Sequence, residues 1–230
     1  MTSIADNLAA IKARIEEATA SAERSPQSAK LIAVSKTKPM SLIEEAYAAG
    51  QRDFGENKVQ ELTEKHPALP DANWHMIGHL QRNKVKYIAP FIHLIHSVDS
   101  ERLLAEINKR AAQNDRIIAC LLQLNISEED AKSGLNEQST YELLERLDEY
   151  PNVRIKGLMG MAAFTDDKTI VSSQFARLAK AFKRYQEFDH PRIEMEELSM
   201  GMSGDFELAI QEGATMVRIG SAVFGARNYG

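Results

Sequence analysis

Apolar residues recur at helical spacing in the first part of the chain. They are separated by three or four positions, with charged residues between them: Ile4, Leu8, Ile11, Ile15 and Ala18. Such residues share one face of an α-helix. The pattern predicts an amphipathic helix over residues 3–24, with Ser3 as its N-cap and Asp6 completing a capping box.

From residue 29 onward, short apolar runs alternate with helix-like stretches. The predicted strands cover residues 31–35, 52–54, 74–78, 94–97, 117–125, 153–159, 197–200 and 216–219. The predicted helices cover residues 42–49, 56–65, 84–88, 100–112, 137–149, 168–188 and 205–212. Local signals include a capping box at Ser41–Glu44 and a C-cap glycine at Gly50.

Continuous apolar strands that alternate with helices indicate a parallel sheet covered by helices. Eight units of about 25 residues favour a single-domain (β/α)8 TIM barrel, and an open doubly wound sheet is the alternative. We expect residues 1–230 to form one domain, with residues 1–25 forming an extra N-terminal helix packed on the barrel.

Composition narrows the function classes. The chain has 230 residues, a net charge of −5 and one cysteine. The negative charge argues against a broad nucleic-acid surface. One cysteine cannot form an internal disulfide, and no apolar run approaches the ~20 residues of a membrane span. We therefore expect a cytoplasmic protein that binds neither nucleic acid nor membrane.

In both architectures, ligands bind at the carboxyl ends of the strands. Lys36 follows the first strand and shares its side-chain parity with Ile32 and Val34. A partly desolvated amine there is a nucleophile suited to a Schiff base with an aldehyde. The alternative is a solvated loop lysine.

Two further polar residues follow the second and third strands. Asn57 can hydrogen-bond a ligand oxygen, or it can cap the next helix together with Glu56. His79 is interpreted as a pocket residue, and a loop histidine bonded to backbone is the alternative. We expect no metal site, because the pairs His75/His79 and His93/His96 lack a completing cysteine or carboxylate cluster.

The seventh and eighth strands end in loops suited to an anion. Ser203 and Gly204 precede a predicted helix, and Gly220 and Ser221 follow the eighth strand. Backbone N–H groups at such places bind phosphate, and barrels frequently use these two loops for it. The alternative is that Ser203 simply caps the helix.

Arg218 lies within the apolar eighth strand, where burial without a partner is unfavourable. A strand-end lysine, a phosphate cradle across the barrel and this arginine together suggest pyridoxal 5′-phosphate (PLP) as cofactor. Lys36 would meet the aldehyde, and Arg218 would face the pyridine nitrogen.

An ordered set of motifs carries a family resemblance that extends from about residue 30 to 227. The chain resembles the pyridoxal phosphate homeostasis protein family in Ala33-Val34-Ser35-Lys36-Thr37-Lys38-Pro39, Phe54-Gly55-Glu56-Asn57, His75-Met76-Ile77-Gly78-His79-Leu80-Gln81, Gly157-Leu158-Met159-Gly160-Met161, Leu198-Ser199-Met200-Gly201-Met202-Ser203-Gly204-Asp205 and Val217-Arg218-Ile219-Gly220-Ser221-Ala222-Val223-Phe224-Gly225. The family's fold is similar to the N-terminal barrel of alanine racemase.

The resemblance implies roles for individual residues. Lys36 matches the lysine that forms the internal aldimine, and Arg218 matches the arginine at the pyridine nitrogen. The positions that match phosphate-binding or pocket residues of the family are Ser203, Gly220, Ser221, Asn57 and His79. The family binds PLP and influences vitamin B6 and amino-acid balance, without a well-established catalytic reaction.

Three functions follow as hypotheses. The favoured one is a homeostatic protein that holds PLP on Lys36 without catalytic turnover. The second is a small amino-acid racemase that uses the same linkage. The third is a barrel isomerase for a phosphorylated metabolite. Because the sequence ends at Gly230, where alanine racemase continues into a second domain with a catalytic tyrosine and dimer contacts, we expect a monomer and negligible racemisation.

Overall fold

The computed structural model describes residues 3–127 and 134–225. Eight parallel strands form a closed barrel in chain order, because β1 pairs with both β2 and β8. The strands are β1 Lys30–Val34, β2 Asp53–Glu56, β3 Asn73–Met76, β4 Leu94–Val98, β5 Ile118–Gln123, β6 Val153–Met159, β7 Ile193–Met202 and β8 Met216–Ile219. The closed barrel is confirmed over the open doubly wound sheet.

Helices cover the outside of the barrel. They are α1 Ile4–Ser21, α2 Met40–Ala48, α3 Val59–Lys65, α4 Val85–Ile88, α5 Glu101–Ala112, α6 Glu137–Glu145, α7 Lys168–Tyr185, α8 Phe206–Gln211 and α9 Ser221–Phe224. The extra helix α1 begins with the expected capping box of Ser3 and Asp6 and contacts α2, α8 and α9. No helix in the described ranges is long and apolar enough to cross a bilayer.

Three local predictions were wrong. Helix α2 begins at Met40 after Pro39, without a side-chain cap from Ser41. Glu56 ends strand β2 instead of capping a helix, and Asn57 does not cap α3, whose N-cap is Lys58. Strand β7 begins at Ile193, four residues earlier than expected. The first part of β7 was not predicted as strand, because alternating glutamates interrupt its apolar residues.

Those glutamates are held from the neighbouring strand. Glu194 and Glu196 both accept hydrogen bonds from Lys156 of β6, while Ile193 and Met195 are buried on the other face. The alternation is therefore that of a strand with one face in the core. Cross-strand ion pairs of this kind balance the negative charge on the outer face of β7.

Side-chain alternation along the strands separates two apolar layers. A large cluster lies between the strands and the helices, and it includes Phe54 and Trp74. A second, small cluster fills part of the barrel interior with Ile32, Leu94, Leu121, Met159 and Met216. The remaining interior positions include buried polar side chains, and these lead from one end of the barrel to the other.

Candidate functional site

A cavity of about 610 Å³ opens at the carboxyl ends of the strands. Its size falls within the range of small-molecule sites. Each residue that the sequence singled out as a binding candidate lines this cavity: Lys36, Asn57, His79, Ser203, Arg218, Gly220 and Ser221. The fold therefore brings together residues that are up to 185 positions apart in the chain.

Lys36 follows β1 on the face that points into the barrel. Val34, Lys36 and Lys38 all line the cavity, as their common parity predicts. Lys36 is partly buried, and Lys38 donates a hydrogen bond to the carbonyl of Gly225 at 2.9 Å. The lysine therefore projects into the cavity from the turn that follows β1.

A buried polar cluster behind β1 holds this strand end in place. Glu56 accepts hydrogen bonds from the Ser35 hydroxyl at 2.7 Å and from the Lys65 ammonium at 2.8 Å. Lys65 also donates to Glu61 at 2.8 Å, and Glu61 accepts from the Thr37 amide at 2.7 Å. Because Ser35 and Thr37 flank Lys36, this cluster fixes the backbone that carries the amine.

Burial dominates the electrostatics of that cluster. It raises the pKa of the Glu56 carboxyl to about 7, although Lys65 and Ser35 act in the opposite direction. For Glu61, burial would also raise the pKa, but the hydrogen bonds from Lys65 and Thr37 hold it below its usual value. The sequence analysis missed Lys65 as a positioning residue, since its helix position carries no signal for a partner on another element.

A close backbone contact places Asn57. A Cβ atom at Gly78 would lie 2.6 Å from the Asn57 carbonyl oxygen and 2.7 Å from its Cα atom, so only glycine fits there. The next residue, His79, has a side chain that is 72% exposed and lies 3.2 Å from Asp99. His79 therefore belongs to the rim of the cavity and not to its floor.

The loops after β7 and β8 meet on the opposite wall. The hydroxyls of Ser203 and Ser221 lie 3.3 Å apart, and Gly204 and Gly220 line the same wall. A Cβ atom at Gly204 would meet nothing within 4 Å, so open space lies next to its backbone. Two hydroxyls and glycine backbone around such a space suit a phosphate group.

Arg218 forms part of the cavity floor and is 5% exposed. Its guanidinium donates to the Ser199 hydroxyl at 2.6 Å and to the Gly160 carbonyl at 3.1 Å. Burial lowers its pKa to about 10, while the charge of Asp205 acts to raise it. Both of these acceptors are uncharged oxygens, and the guanidinium lines the cavity, where a ligand acceptor can meet its positive charge.

A continuous row of hydrogen bonds connects Arg218 to the other end of the barrel. Ser199 Oγ lies 2.9 Å from His96 Nδ1, His96 Nε2 lies 2.9 Å from His75 Nδ1, and His75 Nε2 lies 3.1 Å from Asp53 Oδ1. We call these five residues, Arg218, Ser199, His96, His75 and Asp53, the polar column. Ser199, His96 and His75 are fully buried.

One arrangement of hydrogens satisfies the whole polar column. Arginine only donates, so Ser199 accepts from Arg218 and gives its own hydrogen to His96 Nδ1. His96 then donates from Nε2 to His75 Nδ1, and His75 donates from Nε2 to Asp53. Burial lowers the pKa of His96 well below its usual value, in agreement with a neutral ring.

The column also explains the charge state of its last member. Burial would raise the pKa of Asp53, but hydrogen bonds from His75 and Asn73 hold it below its usual value. Asp53 is therefore an ionised acceptor, as this arrangement of hydrogens requires. A cation at Arg218 and an anion at Asp53 thus terminate the polar column, with Ser199, His96 and His75 between them.

Some lining residues were missed by the sequence analysis. They are Asp99, Gln123, Met202 and the segment 163–166. The strand-end rule that identified Lys36 applies equally to Asp99 and Gln123, which follow or end β4 and β5. In segment 161–166, Phe164 is fully exposed and Met161 is 44% exposed, so part of the rim is apolar.

Comparisons with known proteins agree with this site. The family described as the alanine racemase N-terminal domain matches residues 7–228. The pyridoxal phosphate homeostasis protein of Pseudomonas aeruginosa is 42% identical, covering 100% of this chain and 98% of the relative. That of Escherichia coli strain K12 is 40% identical over 100% of this chain and 99% of its own.

Solved structures extend the comparison. PipY of Synechococcus elongatus with PLP bound is 37% identical, with a TM-score of 0.82 over 96% of this chain and 100% of PipY. Alanine racemase of Bacillus anthracis shares the fold at 15% identity, with a TM-score of 0.72 over 57% of that chain. The full-length identity and the matching family place this chain in the pyridoxal phosphate homeostasis protein family, whose barrel is that of the alanine racemase N-terminal domain.

Proposed function

We propose that this protein binds PLP reversibly, as a Schiff base on Lys36, and acts in intracellular vitamin B6 and amino-acid homeostasis. The observation that carries the proposal is the placement of three complementary groups on one cavity. An amine, a buried guanidinium and a cradle of hydroxyls and glycines all line it, on β1, β8 and the loops after β7 and β8. These groups match an aldehyde, a pyridine nitrogen and a phosphate.

In this proposal, each residue has a defined task. Lys36 would hold PLP through its amine, which would condense with the aldehyde and release the aldehyde oxygen as water. Ser203, Gly220 and Ser221 hold the phosphate, and Arg218 donates a hydrogen bond to the ring nitrogen. Asn57 orients the ligand from the strand β2 side. When bound, PLP supplies an electrophilic aldehyde and an electron-withdrawing ring.

The exposed rim supports exchange of the cofactor in place of permanent retention. His79 and Met202 line the cavity with side chains that remain exposed, Met202 to 40%, so no described element closes over this part of the mouth. A carrier needs such access, because a partner enzyme or free solution must be able to receive the cofactor. Relatives that carry the homeostasis name are consistent with this role.

The covalent step is tested by reduction. The full chain is incubated with PLP, its visible spectrum is recorded, and borohydride followed by peptide mass mapping locates the label. We expect the label on Lys36, loss of the visible band in Lys36→Ala, and retention of both in Lys38→Ala. Lys38 is the matched control because it lies on the same wall with the same parity. A label on Lys38 in the unaltered protein would contradict the proposal.

We further propose that the protein works as a monomer in the cytoplasm. In the described ranges, the large exposed apolar residues outside the cavity rim lie in separate parts of the fold, in α4, directly before β5 and in α7: Tyr87, Ile117 and Ile170. They form no broad patch of the kind that holds stable dimers together. Cys120 is fully buried, and burial raises the pKa of its thiol. A dimer whose mass in light scattering does not change with dilution would contradict the monomer.

A further inference from the structure

Three metal-ligand side chains meet at the end of the barrel opposite the cavity. Asp53 begins β2, His75 lies in β3, and His93 directly precedes β4. Their candidate ligand atoms all lie within 4.8 Å of one another. We propose that Asp53, His75 and His93 form a site for one divalent transition-metal ion, with zinc as its simplest representative.

The sequence argued against a metal because the histidines were considered as the pairs His75/His79 and His93/His96. The barrel pairs them differently. Strand register sets His75 beside Leu94 and Gly55, which brings His93 and Asp53 to neighbouring positions at the same end. The third ligand that the sequence did not reveal is therefore supplied by strand pairing.

The geometry suits a four-coordinate ion. Ligands about 2.0–2.1 Å from zinc in a tetrahedron lie about 3.4 Å from one another. His75 Nε2 and Asp53 Oδ1 are already 3.1 Å apart. His93 is exposed, so its ring can close the remaining distance by a side-chain rotation. Asp53 also lines an open groove of about 360 Å³, from which water can supply the fourth ligand.

Two of the three ligands are already oriented by neighbours. Asn73 donates to Asp53 Oδ1 at 3.1 Å, and His96 lies 2.9 Å from the second ring nitrogen of His75. Such support, in which the nitrogen that does not bind metal is hydrogen-bonded, is typical of metal-binding histidines. Paired imidazoles with one carboxylate favour zinc and similar transition metals over magnesium or calcium.

The nearby positive charges are tied to other partners. Burial lowers the pKa of His93 most, His75 and the cations Lys30 and Arg116 lower it further, and Asp53 acts in the opposite direction. Lys30 forms an ion pair with Glu197 at 2.7 Å, and Arg116 donates to the carbonyls of Ala89 and Ile92. These cations weaken binding by repulsion but do not occupy the ligand atoms.

Ion binding would also reverse the direction of the hydrogen bonds along the polar column. An ion bound to His75 Nε2 displaces the hydrogen from that nitrogen. The ring then carries its hydrogen on Nδ1 and donates it to His96 Nε2. His96 then donates from Nδ1 to Ser199, whose own hydrogen turns away from His96. The number of protons is unchanged, but Arg218 now shares Ser199 with a second donor. This consequence rests on the proposed function, whereas the ion site does not.

The site is tested with zinc chloride titrated calorimetrically into the untagged full chain, with and without PLP. We expect one ion per chain, and at least tenfold weaker binding in His93→Ala and in Asp53→Asn. His190→Ala is the matched control, because His190 pairs with Asp148 at 3.1 Å but belongs to no three-ligand group in the described ranges. Cobalt, as a spectroscopic substitute, should give the visible bands of a four-coordinate site.

The outcomes separate the two proposals. Equal zinc affinity in the unaltered protein and in His93→Ala, or loss of binding in His190→Ala instead, would overturn the metal site. If zinc binds as expected and shifts the visible band of the PLP-loaded protein, the coupling through the column is supported. If zinc binds but the band is unchanged, the coupling is overturned while the site stands. Failure of PLP to bind at all would affect the proposed function but not the calorimetry of the chain without PLP.

Discussion

The two ends of this barrel carry similar polar residues but differ in how the chain surrounds them. At the carboxyl end, short glycine-bearing loops after β7 and β8 help to form a cavity of about 610 Å³ around Lys36 and Arg218. At the amino end, Asp53 lines a shallower groove of about 360 Å³. We call these the upper mouth and the lower end.

The comparison shows that a binding cavity depends on the loops and not on the polar residues. Both ends take inward-facing residues from neighbouring strands, and the polar column joins them. The upper mouth adds loops whose backbone is exposed to a ligand, as at Gly204. At the lower end, the candidate ligands Asp53, His75 and His93 would bind through single side-chain atoms, which suits an ion better than an extended organic molecule.

The largest expected effect concerns the support of the upper mouth. Lys65→Met leaves the buried Glu56 without its cation, so we expect the free energy of unfolding at pH 8 to fall by about 3–5 kcal/mol. Urea denaturation measures the change. Lys58→Met, at an exposed position next to the same helix, is the control and should change stability by less than about 0.5 kcal/mol. Equal losses in both variants would show that the cluster is unimportant.

The next prediction separates the phosphate wall from the rest of the upper mouth. Ser203→Asp places a negative charge beside the proposed phosphate position, so we expect PLP affinity to fall about 100-fold. Pyridoxal, which lacks the phosphate, should bind almost as well as to the unaltered protein. Fluorescence titration with both ligands measures the difference, and an equal loss for both would place the phosphate elsewhere.

A third prediction uses pH to distinguish the two regions. The folded pKa of Glu56 lies near 7, above its unfolded value of 4.5, so its contribution to stability is lost as pH rises from about 4.5 to 7, by up to about 3 kcal/mol. The folded pKa of His96 lies well below 6.5, so its contribution is present above pH 6.5 and is lost as pH falls.

The two groups should therefore act in opposite directions on the same pH profile. Replacing Glu56 with Gln should make stability rise more steeply with pH between 4.5 and 7, as measured by urea denaturation at several pH values. A profile that is unchanged in Glu56→Gln would mean that this carboxyl titrates alike in the folded and unfolded chain.

A fourth prediction breaks the connection between the two ends. Ser199→Ala removes the group that accepts from Arg218 and donates to His96, so we expect about tenfold weaker PLP binding and a loss of about 1–3 kcal/mol in stability. Thr19→Ala, a buried hydroxyl of α1 far from the column, controls for stability. If both variants bind PLP equally well, the column does not position Arg218.

The smallest expected effect is an absence of turnover. Arg218 donates to an acceptor and cannot protonate a ring nitrogen, which weakens the ring as an electron sink. We therefore expect negligible deuterium uptake at Cα of L-alanine in heavy water with the PLP-loaded protein, as followed by NMR. Exchange at enzymatic rates that is lost in Lys36→Ala would favour the racemase hypothesis.

The sequence by itself determined the barrel and most of the upper mouth. Helical and strand periodicities are local, and the strand-end rule places Lys36, Ser203 and Gly220 at one edge without knowledge of strand pairing. The parity of Lys36 with Val34 already fixed the direction of its side chain. These features follow from short segments, so they can be predicted from local sequence alone.

Tertiary structure decided what lies across strands. Ser199 meets His96 across 103 residues, and Lys65 meets Glu56 from a helix on the outside of the barrel. The proximity of Asp53, His75 and His93 likewise depends on the register of β2, β3 and β4. Closure of the barrel sets these registers through hydrogen bonds between distant strands, and no local pattern of apolar and polar residues carries that information.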